Sequence, residues 1–136
     1  MANAGNESYR GALSRDLVIS EAVAFVDEVS VAELSMRKLG QRLGVEAMSL
    51  YRYVDGREDL LDGIVGSVTA SLETDPNLRL RPGDGWQHYL QRLAHAVRDV
   101  ALKHPKVFPL VATRHPAAPW LRPPLRSLPV DRKSVV

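Results

Sequence analysis

The sequence predicts an all-α protein, and three observations support this prediction. Apolar residues recur at spacings of three and four in several segments, which is the pattern of amphipathic helices. No segment shows the two-residue alternation that is typical of a half-buried strand. Glycines, and the dipeptide Asp55-Gly56, stand between the periodic segments, where helices end and turns form.

The chain begins with residues 1–12, which lack periodicity and are interpreted as a flexible arm. Ser14 can then cap a first helix that extends to about Val29. One face of this helix is predicted to be buried, and it consists of Leu17, Val18, Ala22, Phe25, Val26 and Val29. We expect this helix to support the elements that follow it.

Two short helices come next and are joined through a glycine. Ser35 is the N-cap candidate of the second helix, and Gly44 ends it as a left-handed C-cap. Met36, Leu39 and Leu43 form its inward face. The third helix is predicted over 46–53, with Leu50 and Val54 facing inward. The residues predicted to lie outside that inward stripe are Ala47, Met48, Ser49, Tyr51, Arg52 and Tyr53.

A fourth helix has the strongest amphipathic pattern in the sequence, formed by Leu60, Leu61, Ile64, Val65, Val68 and Leu72. Segment 74–85 is rich in Pro, Gly and Asp and is interpreted as the boundary between a first domain, 13–74, and a second unit, 84–130. A fifth helix is predicted from Asp84 to His104, with Trp86, Leu90, Leu93, Val97 and Val100 at helical spacing. Prolines beyond it confine helices to short pieces, one of which could open at Pro123 or Pro124.

Composition and motifs exclude several classes of function. The chain has no cysteine, so a disulfide framework and a thiol nucleophile are both excluded. Neither a signal peptide nor a membrane-spanning segment is recognisable, which predicts a cytoplasmic protein. His88, His95, His104 and His115 lack the spacing of a zinc site, and no phosphate loop or nucleophile elbow occurs. We therefore expect no enzyme, no cofactor and no metal site.

The distribution of charge points to nucleic acid more clearly than the net charge of +2 does. Residues 1–72 contain 7 Lys and Arg against 11 Asp and Glu, whereas 35–57 contain five basic residues against two acidic ones. Two short helices joined through a glycine and braced by a third form a helix-turn-helix arrangement. The outer face of its second helix enters a major groove about 12 Å wide, so only one side of that helix is apolar.

The run LSMRKLGQRLGVEAMSLYRYVDGREDLLDGIV closely resembles the DNA-binding head of the tetracycline-repressor (TetR) family, over about residues 13–72. The resemblance implies a DNA-binding transcriptional regulator, a repressor that binds double-stranded operator DNA as a homodimer and is released by a small-molecule effector. It implies base-edge contacts from Arg37, Ala47, Met48, Ser49 and Arg52. It also implies phosphate contacts from Ser35, the Met36 backbone, Tyr51, Tyr53 and Arg57.

Two positions depart from the family pattern. Ser30 stands where the family has a turn glycine, and Gly40 stands where it has alanine. Each difference is predicted to cost stability. At Gly40 the expected cost is about 1 kcal/mol, because glycine is less favourable than alanine inside a helix.

The run GDGWQHYLQRLAHAVRDVALKHPKVFPLVATRHP is similar to the start of the drug-sensing domain of the tetracycline-repressor subgroup. The resemblance therefore implies a helix-turn-helix head followed by the first helices of an all-α ligand-binding and dimerisation domain. In that subgroup an asparagine and a histidine help to hold magnesium-tetracycline, and here those positions fall on Leu93 and on Leu110 or Val111. We therefore expect an apolar effector that needs no magnesium, in a pocket lined by Leu93, Val97, Leu110 and Val111.

The resemblance also raises an alternative. The family uses two further long helices for its dimer interface and ligand pocket, and they are not recognisable in this sequence. The chain would then be a fragment with a folded head but no functional dimer or sensor. Residues 131–136 back-translate to a common sequencing-library adapter and are interpreted as a non-native tail.

Overall fold

The fold is described from a computed structural model, which covers residues 13–79 and 81–114. These residues form six α-helices and one short 3₁₀ turn at Pro76–Leu78, without a strand, so the all-α prediction is confirmed. The helices are α1 (Arg15–Glu28), α2 (Met36–Leu43), α3 (Ala47–Leu50), α4 (Arg57–Thr74), α5 (Trp86–Lys103) and α6 (Phe108–Thr113). None of these helices is long and apolar enough to cross a bilayer. The predicted arm, the Pro123 or Pro124 helix and the tail lie outside the described residues.

The helix ends follow the predicted capping chemistry. The Ser14 Oγ accepts a hydrogen bond from the Leu17 backbone N–H at 3.2 Å, and the Ser35 Oγ accepts one from the Lys38 N–H at 3.1 Å. Gly44 ends α2 in the left-handed region with φ of 70°. These three residues set where α1 and α2 begin and where α2 ends.

A single large core joins α1, α2, α3 and α4, and residues of α6 and the preceding turn complete it. The buried members are Val18, Ile19, Ala22, Phe25, Val26, Leu34, Leu39, Leu43, Leu50, Val54, Leu60, Leu61, Ile64, Val65, Val68, Val107 and Val111. Val107 and Val111 lie beyond segment 74–85, so this core is not confined to the predicted domain 13–74. Segment 74–85 is thus a connection in the sequence, but residues from both sides of it pack into the same hydrophobic core.

Polar contacts fasten segment 104–114 to the first half of the chain. The His104 Nδ1 lies 2.8 Å from the Asp27 Oδ2, and the Lys106 Nζ donates to the Glu28 carbonyl at 3.1 Å. Arg114 pairs with the carboxylates of Asp62 at 2.9 Å and Glu58 at 2.6 Å. The end of α5 and all of α6 are thereby tied to the C-terminus of α1 and the N-terminal turns of α4.

Two predicted details of the helices are wrong. Val29 is the C-cap of α1 and is 45% exposed, whereas Ile19, which the predicted stripe omitted, is buried. Helix α3 covers only Ala47–Leu50 instead of 46–53. The backbone N–H groups of Tyr53 and Val54 both donate to the Leu50 carbonyl, at 2.9 and 3.1 Å, so the chain tightens into a turn there.

The structure also corrects the interpretation of Gly40. A Cβ at this position would lie 2.8 Å from the Val45 carbonyl oxygen and 3.2 Å from the Ala47 backbone nitrogen. Both neighbours are backbone atoms, so a methyl group would push the start of α3 away from α2. Gly40 therefore permits close packing of the two helices, which offsets its low helix propensity.

Two glycines inside α4 provide a test of how closely this helix packs on α1. A Cβ at Gly63 would lie 2.0 Å from the Ile19 Cδ1, whereas a Cβ at Gly66 would meet nothing within 4 Å. We expect Gly66→Ala to raise the free energy of unfolding by about 0.5–1 kcal/mol through helix propensity. We expect Gly63→Ala to lower it by a net ~1 kcal/mol, because Ile19 must leave its rotamer. Urea unfolding of both variants measures the difference, and equal stabilisation by both would contradict the described packing.

Candidate nucleic-acid interface

The outer faces of α2 and α3 form one exposed surface over a buried layer. Leu39, Leu43, Leu50 and Val54 are buried beneath it. On the outside, Met48 is 76% exposed and Tyr51 is 48% exposed, and Arg37 and Arg52 are also exposed. Ala47 and Ser49 are half-buried between them. The element predicted to read DNA thus presents an accessible face with both apolar and charged side chains, while Leu50 and Val54 hold it to the core.

Three of the five basic residues in 35–57 are engaged by other parts of the protein. Arg42 pairs with Glu28 at 2.7 Å and with Glu21 at 3.0 Å, and these hydrogen bonds raise its pKa above the ordinary value. Lys38 pairs with Glu33. Arg57 donates to backbone carbonyls of the turn between α1 and α2.

The other two basic residues, Arg37 and Arg52, form no ion pair within 13–79 and 81–114. Their charges are therefore available on the exposed face, where the carboxylates of α1 do not neutralise them. Of the five basic residues of the stripe, Arg37 and Arg52 are thus the two whose side chains form neither an ion pair nor a hydrogen bond in the part of the chain that the structure describes.

The predicted phosphate-contacting residues fall into different environments. Ser35 is occupied as the N-cap of α2, and Met36 packs partly against the core. The Met36 N–H belongs to the first turn of α2, where a helix offers no internal acceptor. Arg57 donates to the Val31 carbonyl at 3.0 Å and to the Leu34 carbonyl, which fastens the turn just before Ser35. A guanidinium has five N–H donors, so these two hydrogen bonds leave donors with which Arg57 could also contact a phosphate. That contact stays a prediction.

The two tyrosines differ. Tyr51 is exposed as predicted, but the ring of Tyr53 packs against the core, so its predicted place outside the inward stripe is wrong. Because α3 ends at Leu50, helical spacing no longer applies at position 53. A phosphate contact from the Tyr53 hydroxyl remains a prediction.

An arginine–aspartate pair supports the end of the interface. Arg15 of α1 donates to the two carboxylate oxygens of Asp59 at 2.8 and 2.9 Å, and also to the Tyr53 carbonyl at 2.8 Å. Asp59 accepts a further hydrogen bond from the Asp55 backbone N–H at 2.9 Å. The Arg15 guanidinium, with this backbone bond, lowers the pKa of Asp59 to about 2. One ion pair thus joins α1, the end of α3 and the start of α4.

Gln41 lies beside this exposed surface and is not among the residues that the sequence analysis singled out. It is exposed and borders an open depression of about 540 Å³, together with Arg37, Gly44, Val45, Glu46 and Ala47. The signal in the sequence was its position four residues after Arg37, which places both on one face of a helix.

The four predicted effector-binding residues do not meet in one pocket. Leu93 and Val97 pack with Leu72, Leu78 and Val100, whereas Val111 is buried in the large core and Leu110 packs against it. A separate cavity of about 260 Å³ between α4 and α5 is lined by Ser67, Val68, Ser71, Leu72, Asp75, Ala96, Asp99, Val100, Lys103 and His104. The predicted shared lining is therefore wrong, because α6 turns back onto the head. In the part of the chain that the structure covers, no three His, Asp or Glu side chains are grouped to hold a metal ion.

Comparisons of sequence with known proteins give several relatives. No family model matches the chain. It is 35% identical over 107 residues to an HTH-type transcriptional regulator of Saccharopolyspora erythraea, covering 79% of this chain and 44% of that protein. It is 36% identical over 94 residues to an HTH-type transcriptional repressor of Streptomyces coeruleorubidus, covering 68% and 33%. It is 33% identical over 92 residues to the class D tetracycline repressor of Escherichia coli, covering 68% and 41%. The chain thus spans less than half the length of these relatives.

Solved structures agree with these relatives. A TetR-family transcriptional regulator from Streptomyces coelicolor matches with a TM-score of 0.69 and 32% identity, covering 81% of this chain and 64% of that one. TetR from Acinetobacter baumannii matches with a TM-score of 0.64 and 26% identity, covering 74% and 53%. Class A TetR in complex with 5a,6-anhydrotetracycline and magnesium matches with a TM-score of 0.61 and 28% identity, covering 80% and 60%.

The Arg15–Asp59 pair predicts a specific acid sensitivity. A carboxylate whose pKa is lower in the folded than in the unfolded chain stabilises the fold at neutral pH, and this contribution is lost as pH falls. For Asp59 the loss spans roughly pH 4 to pH 2, from the ordinary 3.8 to about 2. We expect Asp59→Asn to lower the free energy of unfolding at pH 7 by ~1 kcal/mol, a figure discounted for solvent screening. The difference from wild type should shrink over that window.

Denaturant unfolding at several pH values measures this effect. Glu73→Gln on the exposed end of α4 is the matched control and should track the wild type. A constant gap between Asp59→Asn and wild type at all pH values would show that the carboxylate charge is not the source of the stabilisation.

Proposed function

Since the chain belongs to the TetR family of transcriptional regulators, we propose that it binds double-stranded operator DNA through α2 and α3 and acts as a repressor. The observation that carries the proposal is the pair of accessible arginines, Arg37 and Arg52, on an exposed face whose other cations are engaged elsewhere. The relatives named above are transcriptional regulators. The proposal is therefore a DNA-binding protein of the cytoplasm that has no enzymatic activity.

In this proposal base contacts and phosphate contacts come from different parts of the surface. Arg37 and Arg52 reach base edges in the major groove, flanked by Ala47, Met48 and Ser49. The exposed thioether of Met48 suits apolar contact with a thymine methyl group. Phosphates are bound by Ser35, the Met36 N–H, Tyr51, Tyr53 and Arg57, which position the helices without reading sequence.

The regulatory part of the proposal concerns a protein of the relatives' full length. There, two heads would bind successive major grooves as a homodimer, and a small-molecule effector would lower operator affinity. The contacts of Arg114 with Glu58 and of His104 with Asp27 support such coupling, because they tie α5 and α6 directly to the head.

Exposed apolar residues favour a second candidate, in which the head folds but no functional dimer or sensor forms. Trp86 is 67% exposed, Leu102 66% and Leu90 49% on α5. Exposed apolar side chains of this size promote non-specific association. Dimer formation and DNA affinity separate the two candidates.

Two interface variants test the division between base and phosphate contacts. We expect Arg52→Ala to relax the preference at one or two base pairs by roughly 1–3 kcal/mol, because a base-edge contact is lost. We expect Tyr51→Phe to weaken binding to all sequences alike, because a phosphate contact carries no sequence information. Fluorescence anisotropy on an operator duplex and on single-base variants measures both. Arg98→Ala on exposed α5 is the control, and an unchanged sequence profile in Arg52→Ala would contradict the assignment of that residue.

Affinity and assembly test the two candidates. If the 136-residue chain binds as a single head, its dissociation constant is expected on the order of 10⁻⁴ to 10⁻⁶ M at physiological salt, since one half-site is engaged. Sedimentation velocity and titration with one-half-site and two-half-site duplexes provide the measurement. A discrete dimer that binds only the two-half-site duplex tightly would exclude the second candidate.

A further inference from the structure

The depression between α2 and α3 contains an amide side chain that the proposed DNA contacts do not use. Gln41 lines it beside Arg37 on α2, and Glu46 and Ala47 form the opposite wall. The Gln41 backbone carbonyl accepts a hydrogen bond from the Gly44 N–H at 3.3 Å, so its main chain is fixed. Its exposed side chain makes no hydrogen bond within 13–79 and 81–114.

The packing around Gly40 brings this amide close to the start of α3. Only the absence of a Cβ at Gly40 lets the backbone of Val45 and Ala47 approach α2 so closely. Gln41, the next residue on α2, is therefore held at the entrance of the helix that enters the groove. In a helix-turn-helix the first helix crosses the duplex backbone and the second lies in the groove, so a residue of α2 beside the start of α3 stands where the two helices meet the duplex.

The charges of the depression distinguish base reading from phosphate binding. Arg37 contributes a cation and Glu46 a carboxylate, while the neighbouring Arg42 is held away by Glu21 and Glu28. A carboxylate beside the site disfavours a phosphate group through like-charge repulsion. Base edges present donors and acceptors together, and a glutamine amide, which has both, pairs with the N6 and N7 groups of adenine.

We propose that Gln41 is a specificity-determining residue that reads an adenine through its side-chain amide, next to the base contacted by Arg37. This inference rests on the proposed function, because it requires the α2–α3 surface to lie in a major groove. It adds a sequence preference from α2 to the contacts proposed for α3.

The test compares the sequence profiles of wild type and Gln41→Ala. Each protein is used to select binding sequences from a randomised duplex at low salt, and affinities for the selected sites are then measured by anisotropy. We expect Gln41→Ala to lose about 5- to 150-fold of its preference for adenine at one position, with other positions unchanged. Gln91→Ala, at an exposed position on α5, is the matched control and should retain the full profile. Circular dichroism checks that both variants keep their helices.

The outcomes separate this inference from the function on which it rests. If wild type selects a sequence and Gln41→Ala selects the same one with equal preference, the role of Gln41 is overturned while the proposed function stands. A uniform loss of affinity over all sequences would also overturn it, because that result indicates a phosphate contact. If wild type selects no sequence, both the proposed function and the role of Gln41 are overturned.

Discussion

The first turn of α4 is the constraint on which the rest of the structure depends. Three consecutive residues there contact three different elements: Arg57 fastens the turn before α2, Glu58 pairs with Arg114 after α6, and Asp59 pairs with Arg15 of α1. Exposed ion pairs contribute little one at a time. Here they act together with the buried Leu60 and Leu61 immediately behind them, so the polar contacts orient a helix that the core already holds.

The short α3 shows why such support is needed. An isolated helix of one turn is unstable in water, because nucleation costs more than a single turn returns. Three contacts replace that missing stability: Leu50 and Val54 in the core, the close approach at Gly40, and the Arg15 bond to the Tyr53 carbonyl. The surface that faces DNA in the proposed function is thus positioned from behind and from both ends. The exposed side chains of Met48, Tyr51 and Arg52 form no hydrogen bond or ion pair within the described residues, so substitutions there should leave the fold intact.

Local patterns explain what the sequence predicted well. Ser14, Ser35 and Gly44 cap helices through bonds to residues three or four positions away, and the leucine and valine stripes follow helical spacing, so both are readable from neighbouring residues. The errors involve contacts between distant segments. No local pattern shows that Arg42 pairs with Glu21 and Glu28, or that Val111 returns to the core of the head. Likewise, the reason for Gly40 lies in the backbone across the turn and not in its own helix.

The pairing of Arg42 also changes how the charge of the head acts. Residues 1–72 are acidic overall, which by itself opposes approach to DNA. The carboxylates of Glu21 and Glu28 neutralise Arg42 on the α1 side, while Arg37 and Arg52 keep their charges on the α2–α3 face. At physiological ionic strength, charges separated by more than about 8 Å are largely screened, so the nearest groups decide the interaction at contact. In the proposed binding mode the nearest groups are Arg37 and Arg52, so the α2–α3 face attracts a duplex although residues 1–72 contain more acidic than basic residues. The pairing of Arg42 with the carboxylates of α1 thereby leaves the cations of the α2–α3 face as the groups that would orient a duplex in the proposed function.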